Sequence, residues 1–229
     1  MAADLTLLFW PAATIVAYLG CRALYRRWPG WHSSPLLTTP IVLILLAVGL
    51  QASYGDYLLG THWLMAMVGP LTVAFALPIY DQRAVIRRHW LPLAVGVAVG
   101  SLIAIATGSV LARLLDLSPE LRQSLLPRSV TMPFAMNVSG HVGGLPELTA
   151  VFVMITGIVG AALGDLLLKV LPLRSAMARG ALFGMGAHGA GVAKAREVGA
   201  EEGSVAGLVM ILAGLANVAV APVLIMAFA

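Results

Sequence analysis

Charge is scarce in this sequence: Asp, Glu, Lys and Arg make up 10% of its 229 residues, where a soluble domain carries about a quarter. So few charges cannot clothe a water-facing surface, which excludes a soluble globular fold. Cysteine occurs once, at Cys21, so an internal disulfide and thiol-based zinc or haem spacings are excluded, while the redox compartment stays open. The first residues lack the basic region and small-residue cleavage site of a signal peptide, so the first apolar stretch is expected to stay as a helix. A nucleotide-binding loop, a serine–histidine elbow and a zinc-protease helix are also missing; no enzyme is expected, and no cofactor or metal. The formal charge of +4 does not indicate nucleic acid, because the arginines form short clusters between apolar runs with no basic face and no interleaved aromatics.

What the chain has instead is apolar length: 60% hydrophobic residues and a mean hydropathy of +0.93. A transmembrane helix needs roughly 20 mostly apolar residues. Six stretches meet that need, at about 5–23, 36–52, 61–80, 90–115, 148–168 and 204–227. Two further apolar segments, about 126–139 and 180–193, are too short for a comfortable crossing and are crowded with Gly, Pro, Ser or Thr, which predicts re-entrant pieces. Short basic loops stay cytoplasmic. Arg22, Arg26 and Arg27, then Arg83, Arg87 and Arg88, then Lys169, Arg174 and Arg179 all fall inside only if 126–139 returns to the side it enters. Both termini are then extracytoplasmic, and the two short segments enter from opposite faces. An echo at a register of about 58 residues, Phe134-Ala135-Met136 against Val192-Ala193-Lys194, predicts an inverted repeat. The expected fold is all-α and polytopic, one domain over 1–229, with N-terminal helices in 1–125 and repeat units at 126–171 and 180–229.

Chemistry concentrates in the two short segments. In 127–141, Pro127 and Pro133 break the helical ladder, and backbone freed at membrane depth survives only where protein or a wet cavity satisfies it. Ser129, Thr131, Asn137 and Ser139 suit that repair, and they equally suit a polar lining for a solute. Arg128 and Asn137 exceed what repair requires, and intramembrane ionisable groups default to function. In 179–197, Gly180, Gly184, Gly186, Gly189 and Gly191 allow either close backbone approach to a ligand or close helix packing. A helix starting near Gly189 or Gly191 would turn its positive end to the segment's tip, where anions bind well. His188, amid these glycines, suits a proton carrier, a donor to a carboxylate or a packing residue. Lys194 and Arg196 suit charge neutralisation of Glu197, Glu201 and Glu202. His32, His62 and His89 read as interfacial anchors, Asp165 as a partner of Lys169 one turn on, and Glu147 as a helix N-terminal charge.

These motifs are where the chain resembles a known family. Pro127-Arg128-Ser129-Val130-Thr131-Met132-Pro133, the run from Gly143 to Val153, and Ala187-His188-Gly189 followed by Gly191 and Lys194 resemble the LrgB/CidB-like membrane proteins, a group that includes the C-terminal part of the plastidial glycolate/glycerate transporter. The resemblance implies a bacterial inner-membrane protein, often with a small LrgA/CidA-like membrane partner. It implies either an antiholin-like regulator of murein hydrolases and lysis, or export and uptake of monocarboxylates such as pyruvate, glycolate or glycerate. The chain departs from the family pattern at Arg128, Asn137, Val192 and Lys194, where Lys, Glu, Thr and Arg are common. Asn137 cannot take up a proton. The expected function is a transporter or facilitator for a small organic anion, and an ion channel is a weaker alternative. Arg128, Ser129, Thr131, Pro133, Asn137, His188, Gly189, Gly191 and Lys194 are the expected binding residues. Membrane lipids surround it, and tight glycine-rich faces make a homodimer the expected assembly.

Overall fold

The structure, a computed structural model, describes residues 2–28 and 30–228, without the side chains of 2–6, Trp31, Met65, Val68 and 223–228. Among the described residues there is helix and no strand. The chain divides into two compact units, Met1–Val73 and Ala74–Ala229.

The first unit holds α1 (Ala2–Arg27), α2 (Pro35–Gly49), α3 (Tyr54–Ala66) and the start of α4 (Val68–Ala74). Its α1 packs against α2 and α3. Trp10 is buried edge-on to Tyr57, at 5.5 Å between ring centroids, and Thr14 Oγ1 donates to the Trp10 carbonyl at 2.8 Å.

The second unit holds α5 (Ala76–Asp81), α6 (Arg83–Arg88), α7 (Trp90–Leu114), α8 (Pro119–Leu125), a 3-10 turn (Leu126–Ser129), α9 (Met132–Val142), α10 (Pro146–Val170), α11 (Ala176–Val198) and α12 (Ala200–Phe228). Three long helices, α7, α10 and α12, form its frame. Leu93 and Val97 of α7 pack on Val205, Leu208 and Val209 of α12. Deeper in the same interface, Asn217 donates to Ser101 Oγ at 3.1 Å and to the Ala213 carbonyl at 2.9 Å, so this buried amide is not left unsatisfied.

Between α7 and α10 the chain makes a hairpin. Ser118 caps α8, with Pro119 at its first turn. The 3-10 turn and an extended Val130 reverse the chain, and α9 runs back until Gly143, at φ 87°, stops it with a left-handed residue that glycine alone adopts freely. The hairpin's base is closed by a hydrogen-bonded knot of three side chains, all 0% exposed: Ser124, Ser139 and Thr149. Thr149 Oγ1 lies 2.7 Å from Ser139 Oγ and 3.0 Å from the Ser124 carbonyl, while Leu145 N donates to Ser124 Oγ at 2.8 Å. The segment therefore ends beside its own beginning. Thr149→Val keeps the shape and strips these bonds, so a destabilisation of about 1–3 kcal/mol is expected. Thermal unfolding followed by circular dichroism in detergent measures it, and an unchanged midpoint would rule the knot out as a fastening.

α11 is a second hairpin of two helical arms. His188, at φ 47° and ψ −123°, breaks it into arms 176–187 and 189–198. The returning arm lies along the first: Ala195 shares a buried cluster with Phe183 and Ala206, and Gly191 sits against the Phe183 carbonyl. Gly180 and Gly184 of the outgoing arm rest on the α12 backbone at Glu202 and Ala206, and Arg179 clamps Glu202 Oε1 through Nε at 3.0 Å and Nη2 at 2.6 Å. Each hairpin is thus followed by a long helix, α10 or α12.

α10 sets the depth of both. Thr149 marks the base of the first hairpin, Gly157 meets Ala187 beside the tip of the second, and Asp165 reaches Lys194 near the second's base. Those steps are eight residues each, or about 12 Å at 1.5 Å per residue. The hairpins enter from opposite ends of α10 and meet midway. The short helix α6 and the loops 171–175 and 198–199 share one end of this unit, since Gln82 Nε2 donates to the Ser204 carbonyl at 3.2 Å close to the Arg179–Glu202 clamp. Arg83, Arg87, Arg88, Lys169 and Arg174 gather at that basic end.

Four described helices are long and apolar enough to cross a membrane, at Leu7–Arg27, Trp90–Leu114, Pro146–Val170 and Ala200–Pro222; the bent pair Tyr54–Leu64 and Gly69–Asp81 adds a fifth if it counts as one span. The expected count of six is not reproduced. Stretch 36–52 yields a helix of 15 residues, and 61–80 is broken after Ala66 and Ala74. Those two residues lie four before Pro70 and Pro78, where a proline ring collides with the carbonyl.

Candidate functional site

The hairpin tips carry the polar groups that the frame leaves unsatisfied. The 3-10 turn touches α7, α9, α10 and α11, and so lies at the centre of the second unit. Within it, Arg128 lays its guanidinium against Gly108 of α7, where no side chain stands in the way. Its Nη1 is buried without a hydrogen-bond partner. His188, 2% exposed, faces the Ser129 main chain, and neither of its ring nitrogens has a partner at hydrogen-bonding geometry.

Arg128 Nη1 and the protonated ring nitrogen of His188 are buried donors without partners; leaving them so is costly, and that cost marks a place built for an acceptor. The backbone adds to it. α9 and the returning arm of α11 both begin at the tips, so two helix N-termini, with their partial positive charge, point to the region of Arg128. The carbonyls closing the outgoing arm are turned elsewhere: those of Gly186 and Ala187 lie against Gly160 and Gly157 of α10. Nothing stands within 4 Å of where a Cβ would project from Gly186 or Gly189, so the tip backbone is open on that side. The arrangement suits a small anion with two or three acceptor oxygens. His188 holds a backbone conformation that side-chain-bearing residues rarely adopt, a strain typical of functional positions.

The tips bring together Arg128, Ser129, His188 and Gly189, with Thr131 buried where α9 begins. Other expected residues lie apart. Lys194, six positions beyond the tip, bridges Asp165 and Glu197 at 2.9 Å each; Asp165, expected to pair with Lys169, pairs with Lys194 instead. Gly191 is filled from behind by the Phe183 carbonyl. Pro133 is half-buried in the first turn of α9, and Asn137 is exposed on that helix's outer face. A cavity of about 340 Å³ between α7 and α11 is lined by apolar residues including Leu93, Ala181 and Met185, and neither Arg128 nor His188 lines it.

Gly108 was not anticipated from sequence, because a lone glycine in an apolar span has no signature until its neighbour is known. A methyl group there would collide with Arg128 Nη1, the free end of a flexible side chain. Gly108→Ala is therefore expected to leave the unfolding midpoint nearly unchanged and to weaken binding of a small organic anion about tenfold, ~1.4 kcal/mol of misdirected hydrogen bonding. Anion titration of purified protein by calorimetry gives the answer; unchanged affinity would detach Gly108 from the site.

Comparison with known proteins matches residues 14–227 to the LrgB-like family. The chain is 42% identical over 212 residues to the uncharacterized protein YwbG of Bacillus subtilis, covering 93% of this chain and 94% of that one. It is 38% identical over 186 residues to the uncharacterized protein YxaC of the same organism, covering 81% of each. With an uncharacterized protein of Haemophilus influenzae it shares 33% over 209 residues, 91% of this chain and 90% of the other. No solved structure matches.

Proposed function

The chain belongs to the LrgB-like family, and from that premise we propose that it is a transporter or facilitator that carries small organic anions, monocarboxylates such as glycolate, glycerate or pyruvate, unchanged across a bilayer. One observation carries the proposal: Arg128 Nη1 and both His188 ring nitrogens are buried without partners where two oppositely entering hairpins meet. A carboxylate offers acceptors to Arg128 Nη1 and to the ring nitrogen of His188 that carries the proton, and Arg presents a planar fork that fits it. Ser129 and Thr131 add hydroxyls and Gly189 a backbone N–H. In this reading 126–171 and 180–229 are inverted units, each a re-entrant hairpin followed by a crossing helix, as in many secondary transporters. The basic end with Arg83, Arg87, Arg88 and Arg174 then faces the cytoplasm of a bacterial inner membrane, and the C-terminus lies outside.

Purified protein in proteoliposomes is expected to take up labelled glycolate, glycerate or pyruvate above protein-free liposomes. A regulator of murein hydrolases and lysis without transport activity predicts no difference for any of the three, and that outcome would reject the proposal.

A further inference from the structure

The outward face of α9 differs from every face suited to lipid in this unit. On α10 the exposed positions include Val151, Ile155, Val159, Leu163 and Leu166, the aliphatic composition that hydrocarbon accepts. On α9 they are Met132, Asn137, Gly140 and His141, with Pro133 and Met136 half-exposed beside them. Pro133, Asn137 and His141 recur every fourth residue and so form one stripe. His141 spends Nδ1 on the Asn137 carbonyl at 2.7 Å, within its own helix. Among the described residues the Asn137 amide makes no hydrogen bond, and its face holds no branched aliphatic side chain and no Phe, Tyr or Trp.

The depth of the stripe matters. Ser139, tied to Thr149, fixes the far end of α9 near the non-basic end of the unit, and Phe134, packed on Val130 and Val153, fixes its start near the tips. Asn137 lies between, at a depth where an amide facing hydrocarbon would be costly. One end of the stripe opens at residues 143–145, and the other stops at Pro133, five residues after Arg128.

We infer that the α9 stripe Pro133–Asn137–His141 is the wall of a water-filled route by which the organic anion passes between the hairpin tips and the non-basic end of the unit. The inference rests on the transport reading and gives Asn137 a place along the way, outside the binding centre. A primary amide suits such a wall, since it hydrogen-bonds a passing carboxylate without holding it by charge.

The test uses the whole protein in proteoliposomes with Cys21→Ser, and an anionic, water-soluble methanethiosulfonate as probe. Asn137→Cys and His141→Cys are expected to react at least tenfold faster than Ile155→Cys on the aliphatic face of α10, and glycolate, glycerate or pyruvate should slow the reaction at Asn137→Cys. Rates equal to that of Ile155→Cys, in a preparation that still takes up labelled anion, would overturn the route and leave transport standing. Cysteines that resist the probe but form disulfide-linked dimers on oxidation would overturn it in favour of a second copy of the chain. Fast reaction that none of the three anions slows, in protein that takes up none, would overturn the route together with the transport reading.

Discussion

Arg128→Ala is expected to lower the initial rate of labelled-monocarboxylate uptake by about 100-fold or more while the protein keeps its fold. Removing one partner of a desolvated charge pair costs about 2–5 kcal/mol, and 100-fold corresponds to ~2.7 kcal/mol. The fold should survive because Nη1 makes no hydrogen bond to the protein and the guanidinium rests on the open face of Gly108. Truncation therefore breaks no internal hydrogen bond of Nη1. Arg128→Lys keeps the charge and loses the planar fork, so an intermediate rate, down roughly tenfold, is expected. Uptake by Arg128→Ala at the wild-type rate, with a matching unfolding midpoint, would remove this residue from the transport cycle.

The largest effect on stability is expected from one methyl group. Gly191→Ala places a Cβ on the Phe183 carbonyl, which is backbone and cannot swing aside, so the arms of the second hairpin must separate. Overpacking of this kind costs about 1–3 kcal/mol where side chains can adjust, and the rigid neighbour puts Gly191→Ala at or above the top of that range. Gly186→Ala is the matched control: the same substitution five residues earlier meets open space and should be neutral or slightly stabilising. Unfolding midpoints in detergent that fall equally for the two variants would mean that the glycines matter through backbone flexibility and not through contact between the arms.

That contrast explains what was legible in the sequence. Glycine spacing announced the second short segment, and the second arm does start next to His188, near the expected Gly189, although the same run also suits close packing of unbroken helices. It could not sort the glycines. Gly180, Gly184 and Gly191 turn out to be packing surfaces, whereas Gly186 and Gly189 face open space, and that division depends on which neighbour each meets. The charges of the basic loops located Arg83 and Lys169 at one end of the unit, since charge is a property of the residue alone. The Ser124–Ser139–Thr149 knot escaped notice because hydroxyls separated by 15 and 10 positions acquire meaning only when a hairpin closes. The same limit applies to Lys194, whose salt bridge to Asp165 spans two helices. Continuity of 61–80 was misjudged for a different reason: average hydropathy is blind to Pro70 and Pro78, although the collision each one causes is local and was present in the sequence.

The placement of the knot also bears on biosynthesis. The first hairpin leaves the ribosome before α10, and its fastening to Thr149 needs the opening turn of a helix not yet made. Likewise Arg179 must await Glu202, which emerges 23 residues later. Each hairpin can rest on an earlier helix, the first on α7 and the second on α10, but the bond that closes its base waits until the helix that follows has been made and offers a seat. Truncated nascent chains stopped short of α10 should leave 126–142 open to protease, and extension through Val170 should close that window.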